Sequence, residues 1–195
     1  MLLAAARGDP DGPPVGRKDG DVLAVDPESG LVYVNLGSRH GVRPGMRFAV
    51  WLVKRDLGAE VVALVRVVAT EDTHCKTRVE RRYDGRAAPA EGMWVSNPFY
   101  DPRAPRRVCL AGDMPLCGAA AVRRAAETAG AEVVPGPEDG ANVVVLGSPP
   151  VRTVDDPRRA ALLAEAWRRD VLAWAEAAGA LVVAEQDVEL YAFGP

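Results

Sequence analysis

The sequence predicts an α+β protein of two domains, in which a small antiparallel β-barrel is followed by a three-layer α/β domain with a four-stranded parallel sheet. Between residues 19 and 97, β-branched residues are frequent and apolar positions alternate with polar ones, without a helical period. After residue 106, short continuous apolar runs alternate with stretches of helical period. Such runs are typical of parallel strands that are covered on both faces.

The composition of the 195-residue chain, with 48% apolar and 26% charged residues, is that of a globular protein. The formal net charge is −3. Residues 18–100 carry 12 basic and 11 acidic groups (net +1), and residues 104–195 carry 9 and 13 (net −4). Neither half has the basic excess that neutralises phosphates, so we expect neither nucleic acid nor membrane among the partners.

Targeting signals do not stand out at the start of the chain. The opening Met1–Ala6 is too short for the apolar core of a signal peptide, and no apolar run approaches the ~20 residues of a membrane span. The default expectation is therefore a cytoplasmic protein. Residues 1–18, rich in glycine and proline, are predicted to form a flexible tail or the remnant of a linker.

Six short strands are predicted in the barrel, over residues 19–97. Glycine and proline clusters separate them, such as Pro27–Gly30 and Gly37–Gly45. The predicted strands are Asp21–Asp26, Leu31–Leu36, Met46–Val53, Glu60–Thr70, Cys75–Glu80 and Met93–Val95. A closed or nearly closed barrel would leave few free strand edges.

Three prolines between residues 97 and 105 predict a stiff connector, with the linker at residues 98–105. The α/β domain then covers residues 106–195. Its predicted strands are Val108–Ala111, Val133–Val134, Val143–Leu146 and Leu181–Val183, and its predicted helices are Ala119–Ala129, Asp156–Ala178 and Asp187–Phe193. In the second helix, an inward stripe is expected at Leu163, Trp167, Val171, Trp174 and Ala178.

The second half resembles a BRCT domain. The resemblance rests on four sequence segments: Val108–Gly112, Ala129–Val134, Ala141–Gly147 and Ala177–Val183. In this order the two halves are similar to an uncharacterised bacterial family that joins a small β-barrel to a BRCT-like end, often after a coiled coil. In that family the barrel contains sequence motifs similar to Leu31–Gly37 and Gly41–Val50. Patterns of apolar residues and glycines report the fold more than the function.

The resemblance implies binding of protein partners, and in some BRCT domains binding of phosphopeptides. The phosphate-binding members use a hydroxyl near the end of the first strand, the following glycine and a lysine of the second helix. Here the hydroxyl position aligns with Ala111, beside Gly112, and no lysine follows Lys76. Arg158 or Arg159 could supply the cation. A phosphate pocket needs converging charge-assisted donors, so we expect no phosphopeptide binding.

Three patterns invite catalytic interpretations. Cys117 and Arg123 have the Cys-x5-Arg spacing of phosphatase loops, but a structural cysteine with near-normal titration is the expectation. The loop Gly112–Gly118 lies between a strand and a helix without matching a nucleotide-binding motif. His74 and Cys75 are adjacent on a strand and would point to opposite faces, so no metal site is expected.

These observations predict a non-catalytic protein that scaffolds or docks a protein partner, without a cofactor; a homo-oligomer is left open. The alternative is a small-ligand or enzymatic site at the carboxyl ends of the parallel strands. The candidate contact residues are Gly112, Asp113, Gly147, Ser148, Arg158, Arg159, Trp51 and Trp94. Trp51 and Trp94 are candidates because they could be exposed on the barrel.

Overall fold

The structure, a computed structural model, describes residues 18–54, 58–83, 87–150 and 156–192. Except for Lys18, the predicted tail lies outside these residues. The predicted barrel is confirmed and is closed, with antiparallel strands in the order β1-β2-β5-β4-β3-β6. Its strands are β1 (Gly20–Val25), β2 (Leu31–Val34), β3 (Arg47–Lys54), β4 (Gly58–Thr70), β5 (Cys75–Arg82) and β6 (Trp94–Ser96).

Alternating side chains fill the barrel interior, as the period of two predicts. Val22, Val34, Phe48, Val65 and Val95 are among the buried members of this core. Register shifts interrupt three of the strand pairs, for example between β3 and β4. An extra residue on one strand increases its bend and twist, which helps a short sheet to close on itself.

The predicted four-stranded parallel sheet is also confirmed, with strand order β10-β9-β7-β8. The strands are β7 (Arg107–Ala111), β8 (Glu132–Val133), β9 (Val143–Leu146) and β10 (Leu181–Ala184), and the helices are α1 (Ala119–Thr128), α2 (Pro157–Ala178) and α3 (Glu185–Ala192). Side chains of α1 and α3 pack on one face of the sheet, and those of α2 pack on the other. The sheet is therefore the middle of three layers.

Helix α2 differs from its predicted packing. Leu163 is 43% exposed and Ala178 is also exposed, so the prediction is wrong for these two of the five expected members of the inward stripe. Ala175 is the buried residue of this helix. The helix packs on the sheet through a narrow stripe that includes Val171, Trp174 and Ala175, and it turns a broad face to solvent. A helical period alone does not predict how wide the buried stripe is.

Helix α3 begins two residues earlier than predicted, at Glu185, because β10 continues into it without an intervening turn. Its predicted end at Phe193 lies outside the described residues. The strand β8 is displaced by one residue from the prediction and is only two residues long. Both differences concern the ends of elements, which local sequence patterns place only to within one or two residues.

The barrel and the α/β half share one apolar core. Ala49, Trp51 and Leu64 point outward from the barrel and pack in the same cluster as Val122 of α1 and Tyr191 of α3. Both faces of β3 and β4 are therefore buried near this contact. The apolar side chains of the two halves hold them together as one packed unit, since separating them would expose this cluster to water.

The beginning of the predicted linker belongs to the cores. Phe99 is fully buried in the shared cluster and Tyr100 packs in the barrel, where its ring meets Phe48 edge-on at 5.3 Å between centroids. The Tyr100 hydroxyl donates to the carbonyl of His40 at 2.6 Å. Asn97 accepts a hydrogen bond from the Phe99 amide and donates one to the Arg47 carbonyl. The segment is thus tied to the barrel before the second half begins.

Candidate functional site

The carboxyl ends of β7 and β9 bring together four of the predicted contact residues, Gly112, Asp113, Gly147 and Ser148. The Asp113 amide donates to the Ser148 carbonyl at 2.8 Å, and the Ser148 amide donates to the Asp113 carbonyl at 2.7 Å. This bridge continues the sheet past the last paired residues of the two strands. The backbone groups that could have faced a ligand are thereby hydrogen-bonded to each other.

The bridge requires a glycine directly after each of the two strands. Gly112 has a φ of +83°, and a Cβ built there would collide with the Ser148 carbonyl and touch the ring of Trp167. A Cβ on Gly147 would collide with the carbonyl of Asp113. The absence of a side chain at both positions therefore allows close approach of two backbones, and Trp167 of α2 covers the junction.

The loop between β7 and α1 holds a carboxylate that the sequence analysis missed. Glu185 is only 4% exposed, and its Oε1 accepts hydrogen bonds from the amides of Leu116 and Cys117, both at 2.8 Å. Backbone amides before a helix are the groups that hold phosphates in anion-binding loops. In this chain a side chain from the start of α3 takes that place. No local sequence pattern singles out Glu185, because a polar residue directly after a strand is usually solvated.

The Cys117 thiol lies in the same loop and is a poor nucleophile. Burial, followed by the charges of Glu185 and Glu189, raises its pKa to about 11. Its Sγ contacts the Glu185 carbonyl at 3.7 Å. The expectation of near-normal titration is therefore wrong. A phosphatase cysteine needs the opposite, a lowered pKa next to cationic or amide donors.

The two arginines proposed as phosphate ligands, Arg158 and Arg159, lie exposed on the first turn of α2. Asp156 caps this turn by accepting a hydrogen bond from the Arg158 amide at 2.9 Å. Lys76, the last lysine of the chain, lies on β5 of the barrel and pairs with Glu71 at 3.2 Å. The α/β half therefore has arginine as its only long cationic side chain.

Trp51 is not exposed, so the expectation that it could present a contact surface is wrong. It is 2% exposed and packs in the shared core, and its Nε1 donates to the Ser96 hydroxyl at 2.8 Å. The reason is that the α/β half covers the outer side of β3. Trp94 is partly buried against the same cluster, and the Lys18 amine lies 5.1 Å from its ring centroid.

His74 and the two remaining cysteines, Cys75 and Cys109, do not form a metal-binding group. His74 lies beside Tyr33, with 6.4 Å between the ring centroids, while the neighbouring Cys75 is fully buried. Burial raises the pKa of Cys75 to about 12 and also raises that of Cys109. Within the described ranges, no three His, Cys, Asp or Glu side chains are grouped as metal ligands.

In comparisons with known proteins, no family model matches the chain and no curated protein matches it. Among the described helices, none is both long enough and apolar enough to cross a membrane.

Proposed function

We propose that this chain is a non-catalytic protein-interaction or scaffolding protein whose second half is a BRCT-like module without a phosphate-binding pocket. The observation that carries the proposal is the Glu185 carboxylate on the amides of Leu116 and Cys117. A phosphate entering this loop would have to displace a buried carboxylate of the same charge. The loop therefore serves to attach α3 to α1.

The neighbouring strand ends support the same conclusion. Asp113 and Ser148 use their amides and carbonyls for each other, and Ala111 offers no hydroxyl. Ligands of parallel sheets bind in a crevice at this edge, where free backbone donors face outward. Here the donors are engaged, which favours docking over the alternative of a small-ligand or enzymatic site.

Surface exposure supports docking by the α/β half. Leu162 on α2 is 68% exposed, Leu163 is 43% exposed, and Leu116 before α1 is 55% exposed. Large apolar side chains at an exposed surface contribute area that a partner can remove from water. The shared core holds this surface in a constant orientation relative to the barrel, as a scaffold requires.

The first test asks whether the protein binds a phosphate-containing ligand. We expect inorganic phosphate, ATP and a phosphoserine peptide to leave the melting temperature of the protein unchanged, because ligands stabilise only the state that binds them. A concentration-dependent increase with any of them would overturn the proposal. Glu185→Gln, which keeps an acceptor oxygen but removes the charge, is the comparison variant.

The second test asks whether a protein partner docks on α2. A photo-crosslinking amino acid at position 162 should form an adduct with one defined protein in producing cells, and the same probe at Leu23 of the barrel, which is 45% exposed, should not. With the purified partner, Leu162→Glu should weaken binding at least about tenfold while Leu23→Glu leaves it unchanged. Equal labelling from both positions, or equal affinity of both variants, would contradict docking by α2.

A further inference from the structure

The outward face of α2 carries a regular row of six residues. Their positions are separated by four or three residues, which places them on one side of a helix. These residues, the α2 seam, are Arg158, Leu162, Glu165, Arg169, Leu172 and Glu176. All are exposed except Leu172, which is half-buried. The opposite side of the helix, with Trp167, Val171 and Ala175, faces the sheet.

The chemistry of the α2 seam is symmetric about the level of Trp167. Arg158 and Glu176 lie at equal distances on either side of this residue, as do Leu162 and Leu172. Glu165 and Arg169 form the third such pair. Two pairs join opposite charges and one joins leucines, so a reversed copy of the helix presents the matching group at every position.

We propose that two copies of this chain dimerise by antiparallel pairing of their α2 helices about a twofold axis at the level of Trp167. The inference rests on the proposed function, because it names a second copy as an occupant of the docking face on α2. A twofold interface is self-complementary, so residue i of one copy meets residue j of the other and the reverse contact is also made. The six seam positions satisfy this condition with a single register.

The surface shape agrees with the charge pattern. A shallow depression on the seam is lined by Glu165, Arg168, Arg169, Leu172, Ala173 and Glu176. In the antiparallel register the protruding Leu162 of the second copy lies opposite Leu172, at this depression. Ala161 and Ala173 flank the seam at symmetric positions, and small side chains allow two helices to approach closely.

Charge also selects the direction of pairing. A parallel pair in register would place Arg158, Glu165, Arg169 and Glu176 against themselves, and like charges at an interface are repulsive. Inside one copy, Arg169 is only loosely engaged, since its Nε lies 3.9 Å from Asp170 and both side chains are about three-quarters exposed. Its guanidinium is thus available to Glu165 of the second copy.

The seam extends over about 27 Å of helix, at about 1.5 Å per residue from 158 to 176. Each copy contributes only two leucines to it, so the interface is smaller than that of an obligate dimer. We therefore expect sedimentation velocity to show a monomer–dimer equilibrium that shifts to monomer on dilution. A monomer at every concentration would overturn the inference.

Charge reversal tests the register. Glu165→Arg places two like-charged pairs in the homodimer, and so does Arg169→Glu, so each variant should weaken dimerisation by about tenfold. An equimolar mixture of the two single variants restores opposite charges at both pairs and should form a heterodimer of native affinity. The double variant Glu165→Arg/Arg169→Glu should also regain homodimerisation. Absence of either rescue would overturn the antiparallel register.

Matched controls change the same charges away from the seam. Arg159→Glu lies next to the seam on α2 but points to a different side, and Glu127→Arg lies exposed on α1. Both should dimerise as the unchanged protein does; equal weakening by them would show that net charge is responsible and overturn the inference. The α-helical circular dichroism of each variant reports whether the fold is retained.

The outcomes separate this inference from the proposed function. If the protein stays monomeric while position 162 cross-links to a different protein, the twofold pairing is wrong and docking by α2 stands. If the dimer forms and shows the charge rescue while phosphate or ATP stabilises the protein, the pairing stands and the non-catalytic scaffold is wrong.

Discussion

The hydroxyl of Tyr191 in α3 donates a hydrogen bond to the backbone carbonyl of Ser96 in β6, at 3.2 Å. Trp51 of β3 donates to the hydroxyl of the same serine, so Ser96 receives bonds from both halves of the molecule. The carbonyl of Tyr191 in turn accepts from Arg47 at 3.2 Å, and its ring meets Phe99 with 6.5 Å between centroids. This tyrosine therefore joins the two halves through its hydroxyl, its carbonyl and its ring.

Tyr191→Phe should lower the free energy of unfolding by about 1 kcal/mol, because it leaves the buried Ser96 carbonyl without this donor. Tyr191→Ala should cost about 3–5 kcal/mol, since it also opens a cavity in the shared core. Urea denaturation measures both. Tyr33→Phe, on a barrel strand away from the contact, is the matched control and should change stability little. A Tyr191→Ala protein of unchanged stability would show that the shared core does not hold the halves together.

Glu185→Ala should be strongly destabilising, by about 2–4 kcal/mol, because it removes the buried acceptor of the Leu116 and Cys117 amides. Glu185→Gln should cost less, since its amide oxygen can still accept. Chemical denaturation gives both values, and the exposed Glu127→Ala on α1 is the control. If Glu185→Ala and Glu127→Ala have equal effects, the carboxylate does not anchor the loop.

The buried thiols predict a loss of stability at alkaline pH. The folded pKa values are about 12 for Cys75 and about 11 for Cys117, against about 8.5 in an unfolded chain. Below about pH 8.5 both states keep the protons. As the pH rises, the unfolded chain ionises first, so the free energy of unfolding falls until the folded thiols ionise near pH 11–12.

Comparison with Cys75→Ala isolates this contribution, because the variant lacks one of the ionising groups. Its free energy of unfolding, measured in urea at several pH values, should fall less steeply between pH 8.5 and 10 than that of the unchanged protein. Identical slopes would mean that the Cys75 thiol is accessible to ionisation in the folded state.

Cys117 should react slowly with iodoacetamide at pH 8, because thiolate is the reacting form and its population is small at a pKa of about 11. Glu185→Gln should accelerate the labelling, since it removes a negative charge that raises this pKa. Peptide mass spectrometry follows the modification site by site. Under the same conditions, Cys75 labelling should not respond to the Glu185 substitution, and an equal acceleration at both thiols would indicate general loosening instead.

Gly112→Ala should destabilise the protein more than Gly30→Ala. Both positions have positive φ, so both substitutions strain the backbone, but only at Gly112 does the new Cβ collide with a backbone carbonyl, that of Ser148. Because backbone strain is common to both variants, the difference between their melting temperatures measures the cost of the collision. Equal shifts in melting temperature would show that the Asp113–Ser148 bridge yields without cost.

Much of the secondary structure follows from local patterns. The alternation in Leu31–Val34, the continuous run Val143–Leu146 and the capping of α2 by Asp156 each specify their element without distant contacts. Helix packing was harder to predict. Leu163 and Ala178 fit the helical period as well as Ala175 does, and only the position of the helix over the sheet determines which of them is buried.

The burial of Trp51 shows what local patterns leave out. In β3, apolar residues continue over Phe48–Val53 without alternation, which is typical of a strand covered on both faces. That signal indicates a covered surface but does not identify what covers it. Glu185 is a similar case, because a polar residue after a strand is usually solvated, and its burial depends on a loop nearly seventy residues earlier in the chain.

The sequence by itself determined the order of a barrel and a parallel α/β half, since hydrophobic period and turn residues act over neighbouring positions. Only the tertiary structure decided that the two halves share a core, that Glu185 fills the loop before α1, and that α2 keeps a charged and leucine-bearing face outside. Each of these depends on which surfaces meet after folding, and the pattern of one segment does not identify the distant segment that covers it or hydrogen-bonds to it.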